Sequence, residues 1–240
     1  MQKSHFIKDN YEINQENLTL DSKSGQDFWT SDRIILSYRY QYYAYKYAYQ
    51  LAKKKELDNI LDLGCGVATK INCFFGKEFN IFGVDQDSAI QKCKKLFCDG
   101  VYISENFESP SYEVTKILPK CDMVICSDVI EHLENPDKLL EYIKKISKEN
   151  TYIVITTPER NSLVGINNKK PNNPAHIREW SFDEFAKYIK ASGFLILEHK
   201  VMLPFKFKLD VLTLKYILKR TLKTNLPLKT NQIVICKIAP

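Results

Sequence analysis

Short apolar runs alternate with helical patterns through the middle of this chain. The runs Asn59–Leu63, Asn80–Asp85, Val101–Ser104, Asp122–Ser127 and Tyr152–Thr156 each have the length of a strand buried on both faces. Between them, apolar residues recur at helical spacing, notably over Asp87–Leu96 and Asp137–Ser147, where Asn135-Pro136 supplies a cap and a first-turn proline. This alternation predicts βαβ units around a parallel sheet.

The pattern changes after Thr157. Pro158 to Pro174 reads as a long loop rich in proline and asparagine, of the length that often carries function. Ser181 and Glu184 then form a capping box for a helix that stops at Gly193. Phe194–Met202 and Gln232–Ile238 read as two further strands, separated by a helix from about Lys208 to Leu222 with its apolar and basic residues on different faces. Paired as an antiparallel hairpin, those strands bring the sheet to seven. Near the start, Asp32–Lys54 predicts one helix crowded with tyrosines, from Tyr38 and Tyr40 through Tyr42, Tyr43, Tyr45 and Tyr47 to Tyr49. Such a helix can pack on the sheet or cover an opening with its hydroxyls near solvent.

Composition narrows the class. With 44% apolar and 27% charged residues over 240 positions, the chain has the balance of an ordinary soluble globular protein. No run of 18 uncharged apolar residues occurs, and Met1-Gln2-Lys3-Ser4-His5 opens without an apolar segment, so no signal peptide is expected and the cytoplasm is the expected location. Cys65, Cys73, Cys93, Cys98, Cys121, Cys126 and Cys236 form no Cys-x-x-Cys pair and read as reduced and mostly structural. The formal charge of +6 is uneven: Lys200 to Lys237 holds nine Lys or Arg against the single acid Asp210. That end should attract anions, unless it is simply a solvated face.

The first strand ends in Asp62-Leu63-Gly64-Cys65-Gly66-Val67-Ala68-Thr69, a sharp turn into a helix. Its glycines permit the turn and a close backbone approach to a ligand. Asp62 puts an acid at the strand end, and Asp85 closes the second strand, where a carboxylate can accept from both hydroxyls of a ribose. A nicotinamide dinucleotide would want a third glycine at the Thr69 position and no acid facing its phosphates. The pattern resembles the first motif of class I S-adenosylmethionine-dependent methyltransferases, with Ala68 in place of the last glycine, and the resemblance extends over roughly Asp58 to Phe194. It implies an α/β fold: a Rossmann-like, doubly wound, seven-stranded mixed sheet with the last strand antiparallel and helices on both faces. It also implies S-adenosylmethionine as cofactor, held by Asp62, Gly64, Cys65, Gly66, Asp85, Gln86, Asn106, Phe107 and Ser127. In this reading Asn106 accepts from the adenine amino group and Phe107 packs on the base. One domain over 1–240 is expected, with a helical cap over 1–57, a cofactor-binding half over 58–157 and a substrate-side half over 158–240.

Ser127-Asp128-Val129-Ile130-Glu131-His132-Leu133 resembles the fourth motif of that family. Ubiquinone-pathway O-methyltransferases and small-RNA 2′-O-methyltransferases hold a divalent cation with a Glu-x-x-Glu-His of this kind. Here Asp128, Glu131, His132 and, from the long loop, His176 would be the ligands. No metal is adopted, because metal-free relatives carry the same Glu-His as hydrogen-bonding residues. His132 and His176 are the candidate bases for a hydroxyl acceptor, with His176 preferred and Arg178 and Glu179 placed to orient it. The segments Thr156–Arg160 and His176–Ser181 resemble methyltransferases of bacterial surface-polysaccharide pathways. The acceptor is then a small anionic or sugar-linked molecule, a sugar hydroxyl or a phosphoramidate of capsule synthesis, received by Arg160 and Arg178. The runners-up are an RNA methyltransferase and a non-catalytic cofactor-binding or membrane-surface protein. No DNA partner and no stable membrane insertion is expected.

Overall fold

A computed structural model describes residues 5–14, 31–111 and 114–240. Part of the expected N-terminal cap, residues 15–30, and the opening residues 1–4 lie outside the described residues. In chain order the elements begin with α1 (Ser31–Ser37), α2 (Tyr42–Lys54), β1 (Asn59–Leu63), α3 (Thr69–Phe75), β2 (Asn80–Asp85), α4 (Asp87–Leu96) and β3 (Val101–Ser104). They continue with α5 (Val114–Ile117), β4 (Cys121–Ser127), a 3₁₀ turn (Ile130–His132), α6 (Pro136–Ile146), β5 (Ser147–Pro158) and α7 (Arg160–Val164). The last are α8 (Phe182–Ala191), β6 (Phe194–Met202), α9 (Val211–Leu218), a π turn (Lys219–Lys223) and β7 (Asn231–Ile238).

The sheet runs β3-β2-β1-β4-β5-β7-β6. Pairings from β3 through β5 are parallel, whereas β7 lies antiparallel between β5 and β6. Successive side chains of a strand point to opposite faces, so each central strand feeds two cores. Leu61, Val124 and Ile155 pack toward Leu139 and Ile143 of α6 and Phe185 and Ile189 of α8. Ile60, Met123 and Val154 pack toward Ala44 and Ala48 of α2, Phe75 of α3 and Ile90 of α4. Helices therefore cover both faces, as expected. By the same alternation Asp62 belongs to the face of α2, and it is fully buried there.

Two elements depart from the pattern reading. The tyrosine-rich helix is broken: Gln41 has φ 55°, and residues 39–41 instead pair with the segment before α9, through Gln41 N–H to the Pro204 carbonyl and a bridge between Tyr40 and Phe205. The long loop is partly ordered as well, because β5 extends to Pro158 and the Glu159 carboxylate caps α7 by accepting from the N–H groups of Asn161 and Ser162. The Ser181–Glu184 capping box forms as expected.

Trp180, with no exposed surface, fastens the N-terminal residues to this half. Its ring stacks on Tyr188 at 5.5 Å and its Nε1–H donates to the His5 carbonyl at 2.9 Å. Trp180→Ala should lower the free energy of unfolding by about 3–5 kcal/mol, while Trp180→Phe, which keeps one aromatic ring but loses the hydrogen bond and part of the packed volume, should cost less, about 1–3 kcal/mol. Urea denaturation of the two variants checks the ordering.

Candidate functional site

Gly64 begins the turn after β1 with φ 74°. A Cβ there would lie 2.2 Å from Val129 Cγ2, so only glycine lets the turn after β1 meet the turn after β4. Gly66 follows, also with positive φ, and its N–H donates to Asp85 Oδ2 at 2.7 Å. Asp85 Oδ1 accepts from Gln86 N–H at the same distance. Each oxygen keeps a lone pair for a further donor. Asp62, Gly64, Cys65, Gly66, Asp85, Gln86 and Asn106 thus gather at the carboxyl ends of β1, β2 and β3. Beside them a cavity of about 500 Å³ is lined by Gln86, Asp87, Ser104, Glu105, Asn106 and Glu108.

Phe107 is not part of this group. It is buried in the core, 5.8 Å from the Tyr142 ring, so it packs under the sheet rather than against a base in the cavity. Asn106 does line the cavity, with Oδ1 accepting from Glu108 N–H. Ser127 is buried, its hydroxyl 2.7 Å from that of Thr156.

Two partners of Asp62 carry no mark in the sequence. The Tyr45 hydroxyl, on the fully buried face of α2, donates to the Asp62 carboxylate at 2.8 Å. Lys70, in the first turn of α3, lies 5.5 Å from the Tyr45 ring centroid, among Asp62, Asp85 and Asp128. Burial raises the Asp62 carboxyl to about 7, against the pull of Tyr45 and Lys70, and the Asp85 charge adds to the rise. Burial also lowers the Lys70 ammonium, opposed by the three carboxylates. The pocket is acidic, with the half-buried Lys70 ammonium among its acids.

Asp128, at φ 55°, ties four segments together. It accepts from Gln41 Nε2 at 2.8 Å, the Thr156 hydroxyl at 2.8 Å and Asn231 Nδ2 at 2.9 Å. Glu131, His132 and His176 meet beyond it, with one ligand atom of each within 4.8 Å of the others. Asp128 does not join them, because its oxygens already hold the cap and the sheet. Glu131 is fully buried; Oε2 accepts from the Thr157 hydroxyl at 3.1 Å and Oε1 has no partner. Burial first, and then the Asp128 charge, pushes this carboxyl up to about 8.

The histidines differ in what they leave open. His176 is buried, with Nδ1 2.6 Å from Glu179 Oε1 and Nε2 2.8 Å from Asn173 Nδ2. Both nitrogens are engaged. His132 is half-buried and edge-on to His176, and its Nδ1 lies 2.5 Å from the Ala175 carbonyl. A carbonyl only accepts, so Nδ1 carries the proton and Nε2 of the neutral ring is the bare nitrogen.

The arginines expected at the substrate are structural. Arg160 is buried under the Tyr11 ring and donates to the Glu179 carbonyl and to Glu184. Arg178 is buried and donates to the carbonyls of Leu133 and Glu134. Neither presents a free guanidinium to an anionic acceptor. Glu179 and Asn173 orient the His176 ring, while Arg178 is spent on the Leu133 and Glu134 carbonyls.

Comparison with known proteins agrees with this layout. Residues 35–199 match a family model described as a methyltransferase domain. The ubiquinone biosynthesis O-methyltransferase of Bradyrhizobium diazoefficiens is 24% identical over 149 residues, 58% of this chain and 59% of that protein. The protein of the same name from Rickettsia typhi is 24% identical over 153 residues, 62% of each chain. This chain therefore spans about three-fifths of the length of the curated relatives it matches. Among solved structures, an S-adenosylmethionine-dependent methyltransferase from Clostridium acetobutylicum superposes with a TM-score of 0.56 at 13% identity, covering 82% of this chain and 91% of that one. The small RNA methyltransferase HEN1 gives 0.59 at 16%, covering 84% of this chain and 25% of that one. At such identities the likeness is one of fold.

Asp62 makes stability depend on pH. The unfolded carboxyl titrates near 3.8 and the native one near about 7, so the native state holds the proton across that window and stability falls as pH rises through it. Asp62→Asn should match the wild type in Tm at the acid end and exceed it above pH 7, where the free energies of unfolding should differ by on the order of a few kcal/mol. Equal melting temperatures above pH 7 would contradict the assignment.

Proposed function

This chain belongs to the methyltransferase-domain family, and we propose that it uses S-adenosylmethionine to methylate a hydroxyl of a small acceptor with His132 as the general base. The observation that carries this reading is the His132 ring, whose Nδ1–H is fixed on the Ala175 carbonyl so that Nε2 is the basic nitrogen. The cofactor fits the residues present. Gly64 and Gly66 hold the tight positive-φ turn that brings backbone to the pocket, Asp85 keeps two acceptor lone pairs for a ribose diol, and the acidic pocket suits a ligand with cationic groups and no phosphate. Asp62 would accept from its ammonium and Lys70 would meet its carboxylate, so the zwitterionic end is matched charge for charge. When bound, the cofactor supplies a methyl group activated by a sulfonium.

The protein's part is alignment and proton removal. His132 Nε2 would take the acceptor hydroxyl's proton, with the positive ring stabilised by the Ala175 carbonyl dipole. His176 would brace it edge-on, held by Glu179 and Asn173. The names of the curated relatives and the motif resemblance point to two acceptor sets, hydroxyl-bearing intermediates of ubiquinone biosynthesis and sugar hydroxyls. The phosphate-linked and phosphoramidate acceptors lose their support, because Arg160 and Arg178 are engaged internally.

A second reading rests on the 4.8 Å cluster of Glu131, His132 and His176. There these residues would hold a divalent cation, which would polarise the acceptor oxygen. A chelator separates the two.

Methyl transfer from labelled S-adenosylmethionine to both acceptor sets tests the reaction. Under the base reading His132→Ala should lower kcat by about 10²–10⁴-fold with KM for the cofactor unchanged, and His176→Gln by less than roughly tenfold. Turnover should survive EDTA. Loss of turnover with EDTA, restored by manganese, would replace the base reading with the cation reading. Asp62→Asn should weaken cofactor binding by roughly 10- to 100-fold above pH 7 and flatten its pH profile.

A further inference from the structure

The helix inserted between β6 and β7 is amphipathic in the inverse sense. Its polar residues at helical spacing face the protein. The Thr213 hydroxyl accepts from Arg39, the Tyr216 hydroxyl donates to the Leu228 carbonyl at 2.8 Å, and Arg220 donates to the carbonyls of Ser162, Leu163 and Pro227. The opposite stripe is apolar and open to solvent. Val211, Leu214, Leu218 and Leu222 are 65%, 57%, 42% and 77% exposed, and Leu209 in the preceding turn is fully exposed. A soluble helix ordinarily turns its apolar stripe inward, so this stripe is a surface awaiting a partner.

Charge decides which partner. Lys208, Lys215, Lys219 and Lys223 flank the stripe, and the only acid between Val201 and Pro240, Asp210, is paired with Arg39 at 2.6 Å. Protruding leucines flanked by lysines complement a hydrocarbon layer beneath anionic headgroups. Protein interfaces are instead depleted in lysine and anchored by aromatic and arginine side chains, and the stripe carries neither. No described helix is long and apolar enough to cross a membrane, so the contact would be lateral.

We propose that α9 and the turn before it dock the protein on anionic lipid bilayers, the leucines below the headgroups and the lysines on their phosphates. The docked face connects directly with the site. Arg39 clamps Asp210 and Thr213 to the end of α1, and Gln41, two residues on, holds Asp128 at the end of β4. Docking presents that end of the sheet to the membrane. The surface stands on its own exposure and charge, whichever acceptor the enzyme uses.

Sedimentation of the purified full chain with vesicles tests this. The wild type should pellet with mixed phosphatidylglycerol and phosphatidylcholine vesicles and stay in solution with phosphatidylcholine alone. Lys215→Gln with Lys219→Gln should reduce partitioning roughly thirty-fold, at about a factor of five per lysine. Leu214→Ser with Leu218→Ser should reduce it roughly tenfold or more. The lysine pair should keep the wild-type Tm, and the leucine pair, being about half exposed, should stay folded with a Tm within a few degrees of it. A wild type left in the supernatant with anionic vesicles would overturn the proposal. So would equal binding by the leucine pair, which would mean charge adsorption alone. A concentration-dependent dimer, seen by light scattering and lost in the leucine pair, would assign the face to a second copy and overturn it too.

Discussion

The site depends on a side chain that is missing. Val129 Cγ2 stands 2.2 Å from where a Gly64 Cβ would be, so the turns after β1 and β4 interlock. These are the two central strands, at the point where the strand order reverses and a doubly wound sheet opens a crevice at its carboxyl end. From that contact the acids follow. Asp62 ends β1 under the cover of α2, Asp85 ends β2 and is pinned by Gly66 N–H, and Asp128 leaves β4 in a left-handed turn next to Val129. A methyl group at Gly64 would force those turns apart and separate the groups that the pocket needs close.

Closeness of like charges is costly, and the surrounding residues show how it is offset. Tyr45 donates to Asp62, two backbone N–H groups donate to Asp85, and Gln41, Thr156 and Asn231 donate to Asp128. Lys70 adds one half-buried cation. Glu131 receives a single hydroxyl for two oxygens, which together with burial explains why it is driven up to about 8 and is held neutral near pH 7. A neutral Glu131 leaves the adjoining histidines without a formal negative charge on that side. Hydrogen bonding therefore sets the three acids under the glycine turn apart from the histidine pair beyond it, which Glu179 and Asn173 hold.

The strands and the glycine turn were legible because their signals are local. Asn59–Leu63, Asn80–Asp85, Val101–Ser104 and Phe194–Met202 have the bounds that the apolar runs predict, and the Ser181–Glu184 cap needs only three residues of spacing. What was not legible depends on long-range partners. Tyr45 is one of seven tyrosines in its segment, and only the fold sets it against Asp62. Arg160 and Arg178 look like anion receptors in a list of residues, yet Glu184 and the carbonyls of Glu179, Leu133 and Glu134 reach them first. The preference for His176 over His132 reverses for the same reason. Loop position favours the former, and hydrogen-bond occupancy favours the latter.

The C-terminal helix carries this furthest. Periodicity separates its apolar and polar stripes correctly, but periodicity has no term for which stripe faces inward. Burial of leucine ordinarily decides that, at about 25 cal/mol per Å² of apolar surface. Here Arg220 and Thr213 decide it instead. Two guanidinium groups, those of Arg220 and Arg39, bind the helix through main-chain carbonyls and Asp210, and a buried charge left without those partners would cost more than an exposed leucine. The helix is thus held by polar contacts in an orientation that leaves its apolar stripe outside. Because the Arg39 contacts adjoin Gln41, which holds Asp128, one end of the helix and the site are set by one network. A change that released the stripe to fold inward would also loosen the cap.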